Sequence, residues 1–279
     1  MATSATTLVQ RVRRFLGDWP ELDTASASIS SGGTSLTVAT DATTRYAQNW
    51  LIQVDQEMMR VSAVAATTLT VVRGARGTTA ASHASGATIL VRPGFSDQDI
   101  LDSVNAGIDA TFPFFYKSIL DTSLTADGSS YEYTVPTGLT WLSKVEIKES
   151  GSPYYYRIDG WTVKRAASPV LQFATPPIQG TIRCHGFGPL PQLTGFSDSL
   201  DALWPAWGDD PLVEYAAQRL LMSSESQRVR LNAGPQDDAQ APPRQGVTAS
   251  VAGQLLQRFQ MRMAQQPMPP LPRHIVRIF

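Results

Sequence analysis

From Ile52 to Val64 the chain reads Ile-Gln-Val-Asp-Gln-Glu-Met-Met-Arg-Val-Ser-Ala-Val, and from Thr68 to Ala87 it reads Thr-Leu-Thr-Val-Val-Arg-Gly-Ala-Arg-Gly-Thr-Thr-Ala-Ala-Ser-His-Ala-Ser-Gly-Ala. These stretches consist of short β-branched runs that alternate with polar residues, and small residues or glycines separate them. Alternation of this kind is typical of half-buried strands joined by tight turns. The sequence therefore predicts a small antiparallel β-domain over residues 25–95.

Helical patterns lie on both sides of this domain. Residues 7–19 predict a short amphipathic helix within an N-terminal segment 1–24. A second helix begins after Ser96, where Ser96 and Asp99 have capping-box spacing, and Pro113 should kink or split it near Thr111. Residues 124–188 return to β-type runs, and a third helix is expected from about Asp209 to Arg228. We therefore expect a helical core over 96–232 (residues 96–121 with 209–230) that carries a β-sandwich-like insert at 124–188.

The last fifty residues differ in composition from the rest. Residues 233–249 are rich in Pro, Gln, Asp and Ala and predict a linker, whereas residues 251–263 could form a short helix. Residues 267–272 must be extended because of their prolines, and the apolar end 274–279 reads as a strand. We interpret 233–279 as a linker and an extended C-terminal arm that docks on a neighbour by edge addition or groove filling.

Charge is unevenly distributed along the 279 residues. The formal net charge is −1, but residues 227–279 carry +5 and the first 226 residues carry −6. Only 17% of the residues are charged, which weakly favours an oligomer. A single cysteine excludes an intrachain disulfide framework, and no apolar run approaches the length of a membrane span.

Two features near residues 55–79 could carry chemistry. Gly74 to Thr79 resembles a phosphate loop only superficially, because no lysine and no helix follow it, and a tight turn is the better interpretation. Asp55 and Glu57 are two residues apart on a predicted strand and could bind a cation, but pairing with Arg60 or Arg73 on the next strand is the favoured role.

The remaining candidates are isolated. His83 lies in a loop of small residues, where a turn or packing role is expected. Cys184 and His185 are adjacent in a strand, so their side chains should point to opposite faces, and a buried thiol is the default. Nothing satisfies the combination of nucleophile, base and oxyanion donors that an active site needs. We therefore predict that the chain is not an enzyme and that it uses no cofactor, metal or small-molecule substrate.

Two sets of residues are predicted to bind partners. Arg11, Arg13 and Arg14 lie on the N-terminal helix and could contact DNA non-specifically, although such a group is commonly a solvated or interfacial face. The predicted binding residues of the arm are Arg258, Phe259, Arg262, Arg273, Ile275, Val276, Arg277, Ile278 and Phe279.

The order of residues in the quoted stretch resembles a signature of structural proteins from tailed bacteriophages. That signature has an acidic strand with Asp and Glu, then Arg-Val, a hairpin, and Arg-Gly-x-x-Gly-Thr-x-Ala-x-x-His, which here spans Arg73 to His83. The helix with Asp-Ile-Leu-Asp-Ser-Val-Asn-Ala-Gly-Ile-Asp from Asp99 and the later helix with Glu-Tyr-Ala-Ala-Gln-Arg-Leu-Leu from Glu214 resemble head-to-tail connector, or neck adaptor, proteins.

The resemblance implies an α+β fold with a helical core of adaptor type. It further implies a homo-dodecameric ring that joins the portal protein to the tail or neck proteins below it and lines the DNA exit channel. The protein would be assembled in the cytoplasm of the host bacterium and would reside in the neck of the virion, without contact with a membrane.

Two alternatives remain open. A tail or fibre component with adhesive β-domains would form trimers or sixfold rings and would present its tyrosine-rich insert outward. A nucleic-acid or cell-wall enzyme would require a cluster of His, Asp or Glu that the sequence does not display.

Overall fold

The computed structural model describes residues 2–232, 247–265 and 276–277. Its helices are α1 (Ala5–Leu16), α2 (Ala42–Arg45), α3 (Asp97–Ala110), α4 (Asp209–Asn232) and α5 (Val247–Ala264). Its strands are β1 (Glu21–Thr24), β2 (Ser35–Thr37), β3 (Leu51–Val54), β4 (Glu57–Ala65), β5 (Thr68–Val72), β6 (Thr88–Val91), β7 (Lys117–Ala126), β8 (Glu132–Thr134), β9 (Trp141–Glu149), β10 (Tyr156–Ile158), β11 (Trp161–Lys164), β12 (Val170–Phe173), β13 (Gly180–Gly188) and β14 (Val276–Arg277).

The fold is mostly β, with three antiparallel sheets and a smaller helical component. The predicted α+β fold with a helical core of adaptor type is therefore wrong. One reason is that residues 117–126, of which 117–121 were expected to end a helix, form β7, which pairs along almost the whole length of β13. Helices α1, α3, α4 and α5 pack mainly on one another.

The first sheet has the strand order β1-β6-β3-β4-β5-β2. Alternate side chains on β5 are buried, as the sequence pattern predicts: Leu69 and Val71 point inward, and Thr70 and Val72 outward. An antiparallel bridge between Ala25 and Val38 joins the ends of the two outer strands, so the sheet closes on itself around one apolar cluster.

A second apolar cluster lies between α1, α3 and α4. The predicted capping box at the start of α3 is confirmed, since the Ser96 hydroxyl accepts from the Asp99 amide and the Asp99 carboxylate accepts from the Ser96 amide. Helix α3 ends at Ala110, close to the position that Pro113 predicts. Gly17 ends α1 with a φ of 69°, a conformation that glycine adopts without steric cost.

The other two sheets share a third apolar cluster. The second sheet has the order β10-β9-β13-β7, and β14 also pairs with β9; the third has the order β11-β12-β8. Buried residues of both sheets, among them Val145, Ile182, Leu171 and Phe173, meet in this cluster. These sheets therefore pack as two layers of one β-rich unit.

Of the predicted linker and C-terminal arm, residues 233–279, the structure describes 247–265 and 276–277. Helix α5 packs against α4, where the rings of Phe259 and Tyr215 lie 4.8 Å apart. The backbone of Val276–Arg277 then pairs with Leu142 and Trp141 of β9 in the same chain. This edge addition is made within the chain. Of the predicted linker 233–249, residues 233–246 lie outside the described residues, and residues 247–249 belong to α5. Within the described ranges, none of the helices combines the length and hydrophobicity that crossing a membrane requires.

Candidate functional site

Glu57, the first residue of β4, is at the centre of a buried cluster of polar side chains and backbone amides. Its side chain is 1% exposed and forms a two-pronged ion pair with Arg73, whose Nε and Nη2 lie 2.7 and 2.6 Å from the two carboxylate oxygens. The backbone amides of Gly74 and Ala81 also donate to it, each at 3.0 Å. The predicted pairing of Glu57 with Arg73 is confirmed.

His83 joins the same cluster, which the sequence did not predict. Its Nε2 lies 2.9 Å from Glu57 Oε2 and its Nδ1 lies 2.7 Å from Asp55 Oδ2. Each ring nitrogen therefore contacts a carboxylate of the same chain.

The electrostatic balance of the cluster favours the ionised Glu57. Burial by itself raises the pKa of this carboxyl group, but hydrogen bonds from Arg73, the Ala81 amide, His83 and the Gly74 amide more than offset burial and lower the pKa to about 2. We call Glu57, Arg73, His83 and Asp55 the Glu57 cluster.

The glycine-containing loop after β5 is shaped to reach Glu57. Gly74 has a φ of 61°, and a Cβ atom there would lie 2.8 Å from the carbonyl oxygen of Thr78. The Thr78 hydroxyl lies within hydrogen-bond distance of the amide and carbonyl of Met58. The loop does cradle an anion with backbone amides, as phosphate loops do, but the anion is the chain's own carboxylate.

An open cavity of about 510 Å³ lies beside this loop, with Asp55, Thr79, His83 and Gln98 among its lining residues. Over the described part of the chain, no group of three or more His, Cys, Asp or Glu side chains is arranged to hold a metal ion. The polar groups of the signature, from Glu57 through Arg73 to His83, are occupied in fixing a loop to β4.

The arginines predicted to contact DNA have different environments. Arg13 is buried and pairs with Asp18 and Asp97, the latter at 2.7 Å. Arg11 pairs with Asp209 and Asp210 at 2.7 and 2.5 Å. Arg14 is exposed. Two of the three charges are therefore balanced by carboxylates of the same chain, and the DNA-contact prediction remains untested for all three.

The residues predicted for the arm are also separated. Phe259 is buried against α4, Arg262 lies 3.4 Å from Glu214, and Arg258 is exposed. Val276 and Arg277 form β14, and the remaining arm residues, Arg273, Ile275, Ile278 and Phe279, lie outside the described residues.

The sequence missed a second cluster, centred on Glu146 of β9. Arg183 Nε and His185 Nε2 lie 2.7 and 2.8 Å from Glu146 Oε2, and Lys144 contacts the other carboxylate oxygen. Burial raises the pKa of Glu146, but the hydrogen bonds from Lys144, His185 and Arg183 lower it to about 2. We call these four residues the Glu146 cluster.

Cys184 lies between two members of this cluster in the sequence but on the other face of the sheet. It is fully buried in the third apolar cluster, while Arg183 and His185 are partly exposed. Burial, with a smaller contribution from the charge of Asp121, raises the pKa of its thiol to about 12. The thiol is therefore held in its unreactive protonated form at neutral pH.

Comparison with known proteins adds no assignment. No family model matches the chain, and no curated protein matches it.

Proposed function

We propose that this chain is a structural subunit of a tailed-bacteriophage particle, with the head-to-tail junction as its position. There it would form a ring between the portal and the tail, after assembly in the host cytoplasm, and would not act as an enzyme. The observation that carries the proposal is the Glu57 cluster. The residues that give the sequence its phage-like signature fix a loop to β4 through an ion pair and hydrogen bonds. This is a structural use of these side chains, as expected in a subunit of an assembled particle.

An exposed apolar surface supports the assembly role. Trp19 is 72% exposed and Leu22 is 61% exposed, and we call these two the apolar patch. A cavity of about 290 Å³ adjoins Trp19 and Leu22, and its lining includes Val9 and Phe196. Large apolar side chains clustered on a surface mark sites where another protein packs. Rings of identical subunits bury such surfaces at interfaces that close.

Native mass spectrometry of the purified chain, alone and mixed with the portal protein of the same phage, tests the proposal. We expect a dodecamer, or assembly only when the portal is present. A stable trimer, or a monomer that ignores the portal, contradicts the neck position. The double variant Trp19→Ser/Leu22→Ser should abolish assembly and leave the circular dichroism spectrum unchanged. Ile178→Ser, which changes an apolar residue that is 49% exposed elsewhere, is the matched control.

A tail or fibre component with adhesive β-domains is the second candidate. It is favoured by three exposed tyrosines on or beside the second and third sheets, Tyr131, Tyr154 and Tyr156. Labelling of intact particles with an antibody against the chain distinguishes the two positions, because neck label and tail-tip label lie at opposite ends of the tail.

A further inference from the structure

The outward face of the second sheet gathers basic side chains from three strands. On β13 the side chains alternate, with Ile182 and Cys184 buried and Thr181, Arg183 and His185 partly exposed. Residues directly opposite on neighbouring antiparallel strands share a face. The partners of Thr181, Arg183 and His185 on β9 are Lys148, Glu146 and Lys144, and the partner of Glu146 on β10 is Arg157.

This face, which we call the basic face, has an excess of positive charge. Its cations are Lys144, Lys148, Arg157 and Arg183, and its carboxylates are Glu146 and, at the edge, Asp159 bonded to Arg157. Glu146 is almost completely buried beneath its donors, so the groups that reach water are mainly the cations. The net charge of the basic face is +2, in a chain whose formal charge is −1.

Two further contacts hold this surface in place. The ring of Tyr155 lies 3.7 Å from the guanidinium carbon of Arg183 and 5.6 Å from Lys148 Nζ. A guanidinium stacked on an aromatic ring and bonded to a carboxylate is fixed before any partner arrives, which reduces the entropic cost of binding. Lys144 and Lys148 are four residues apart on one strand, roughly 13 Å along the sheet.

We infer that the basic face binds double-stranded DNA through its phosphate backbone. Protein–protein interfaces are depleted of charged residues at their centres, whereas protein–DNA interfaces are strongly positive. The centre of this face consists of cations around one buried carboxylate, which is the composition of a protein–DNA interface. It presents lysine and arginine, and the three paired strand rows contain no Asn or Gln to read bases, so contact is with the backbone and independent of sequence. The inference deepens the proposed role, in which DNA passes the subunit.

Fluorescence anisotropy with a labelled random-sequence duplex, between 50 and 200 mM NaCl, tests the inference on the purified full-length chain. The test variant is Lys148→Ala/Arg157→Ala, which removes two cations outside the Glu146 cluster. The matched control, Lys164→Ala/Arg165→Ala, removes two exposed cations at the end of β11. We expect the test variant to bind roughly tenfold more weakly at the lowest salt, and the slope of log K against log salt to fall by about 2. The control should bind as the wild type does.

Three results would overturn the inference: no salt-dependent binding by the wild type, equal losses in both variants, or competition by polyglutamate as effective as competition by unlabelled DNA. The last result would assign the face to an acidic protein. Failure of this inference is separable from failure of the proposed function. A chain that forms the ring without binding DNA refutes only the DNA-binding inference. A chain that binds DNA but never joins a particle refutes only the proposed position in the neck.

Discussion

Glu57 in the first sheet and Glu146 in the second are bound by the same residue types, an arginine and a histidine, and in both the pKa is lowered to about 2. Their surroundings differ. The side chains of Arg73 and His83 are 8% and 1% exposed, whereas those around Glu146 are 26% to 41% exposed. Glu57 also receives two backbone amides, and the donors to Glu146 are all side chains. The same kind of ion pair therefore fixes a loop in the Glu57 cluster, where the donors to Glu57 are buried. In the Glu146 cluster, where the donors reach water, it shapes a charged surface.

Replacing the two glutamates should give the largest difference between the clusters. Glu57→Gln leaves Arg73 and His83 buried without their carboxylate, and we expect a loss of about 3–5 kcal/mol in the free energy of unfolding. Glu146→Gln leaves donors that water can solvate, so a loss of about 1 kcal/mol is expected. Urea denaturation measures both values, and hydrogen exchange shows which strands open.

Equal losses of unfolding free energy in the two variants would refute the distinction between buried donors around Glu57 and solvent-exposed donors around Glu146. If Glu57→Gln does not fold, Arg73→Lys provides the milder test, because lysine keeps the charge but cannot form the two-pronged contact. Hydrogen exchange should then quicken in β4 and β5 while β9 and β13 stay protected.

Acid should weaken the first sheet through Glu57. The carboxyl pKa falls from an ordinary value of 4.5 to about 2 on folding, so the unfolded chain binds the proton more readily. The stabilisation is fully present above pH 4.5 and disappears as the pH falls toward 2, and it amounts to about 3 kcal/mol. Urea midpoints measured from neutral pH down to about pH 2.5 should therefore fall less in Glu57→Gln than in the wild type. A variant whose midpoint falls as steeply as that of the wild type would exclude Glu57 as the source.

Local patterns predicted part of this fold. The strands of the first sheet, the capping box of α3 and the short helix expected at 251–263 each depend on residues a few positions apart. The segment 117–121 was misassigned because Leu120 continues the spacing of the apolar residues of α3. Its strand state is determined by pairing with β13, more than sixty residues later, which no local pattern contains.

The candidate sites follow the same division. Glu57 and Arg73 were paired correctly because a hairpin joins their strands. The contact of His83 with Glu57 depends on the path of the loop after Gly74, and the Glu146 cluster depends on β9 and β13 being neighbours. The ion pair of Arg11 with Asp209 spans 198 positions. Such partners are brought together by the tertiary fold. Their contacts therefore cannot be predicted from local sequence patterns, although the residues themselves can be recognised as candidates.

The smallest expected effect comes from His185. His185→Gln should change the free energy of unfolding by no more than about 0.5 kcal/mol, because its contact with Glu146 is partly exposed and Arg183 and Lys144 remain. His83→Gln, a substitution of the same kind, should cost about 1–3 kcal/mol, because one amide cannot reproduce contacts to both Asp55 and Glu57 from a buried position. Urea denaturation of the two variants side by side measures the ratio. A cost for His185→Gln as large as that for His83→Gln would mean that water does not screen the Glu146 cluster, and the basic face would then be a rigid structural element as well as a charged surface.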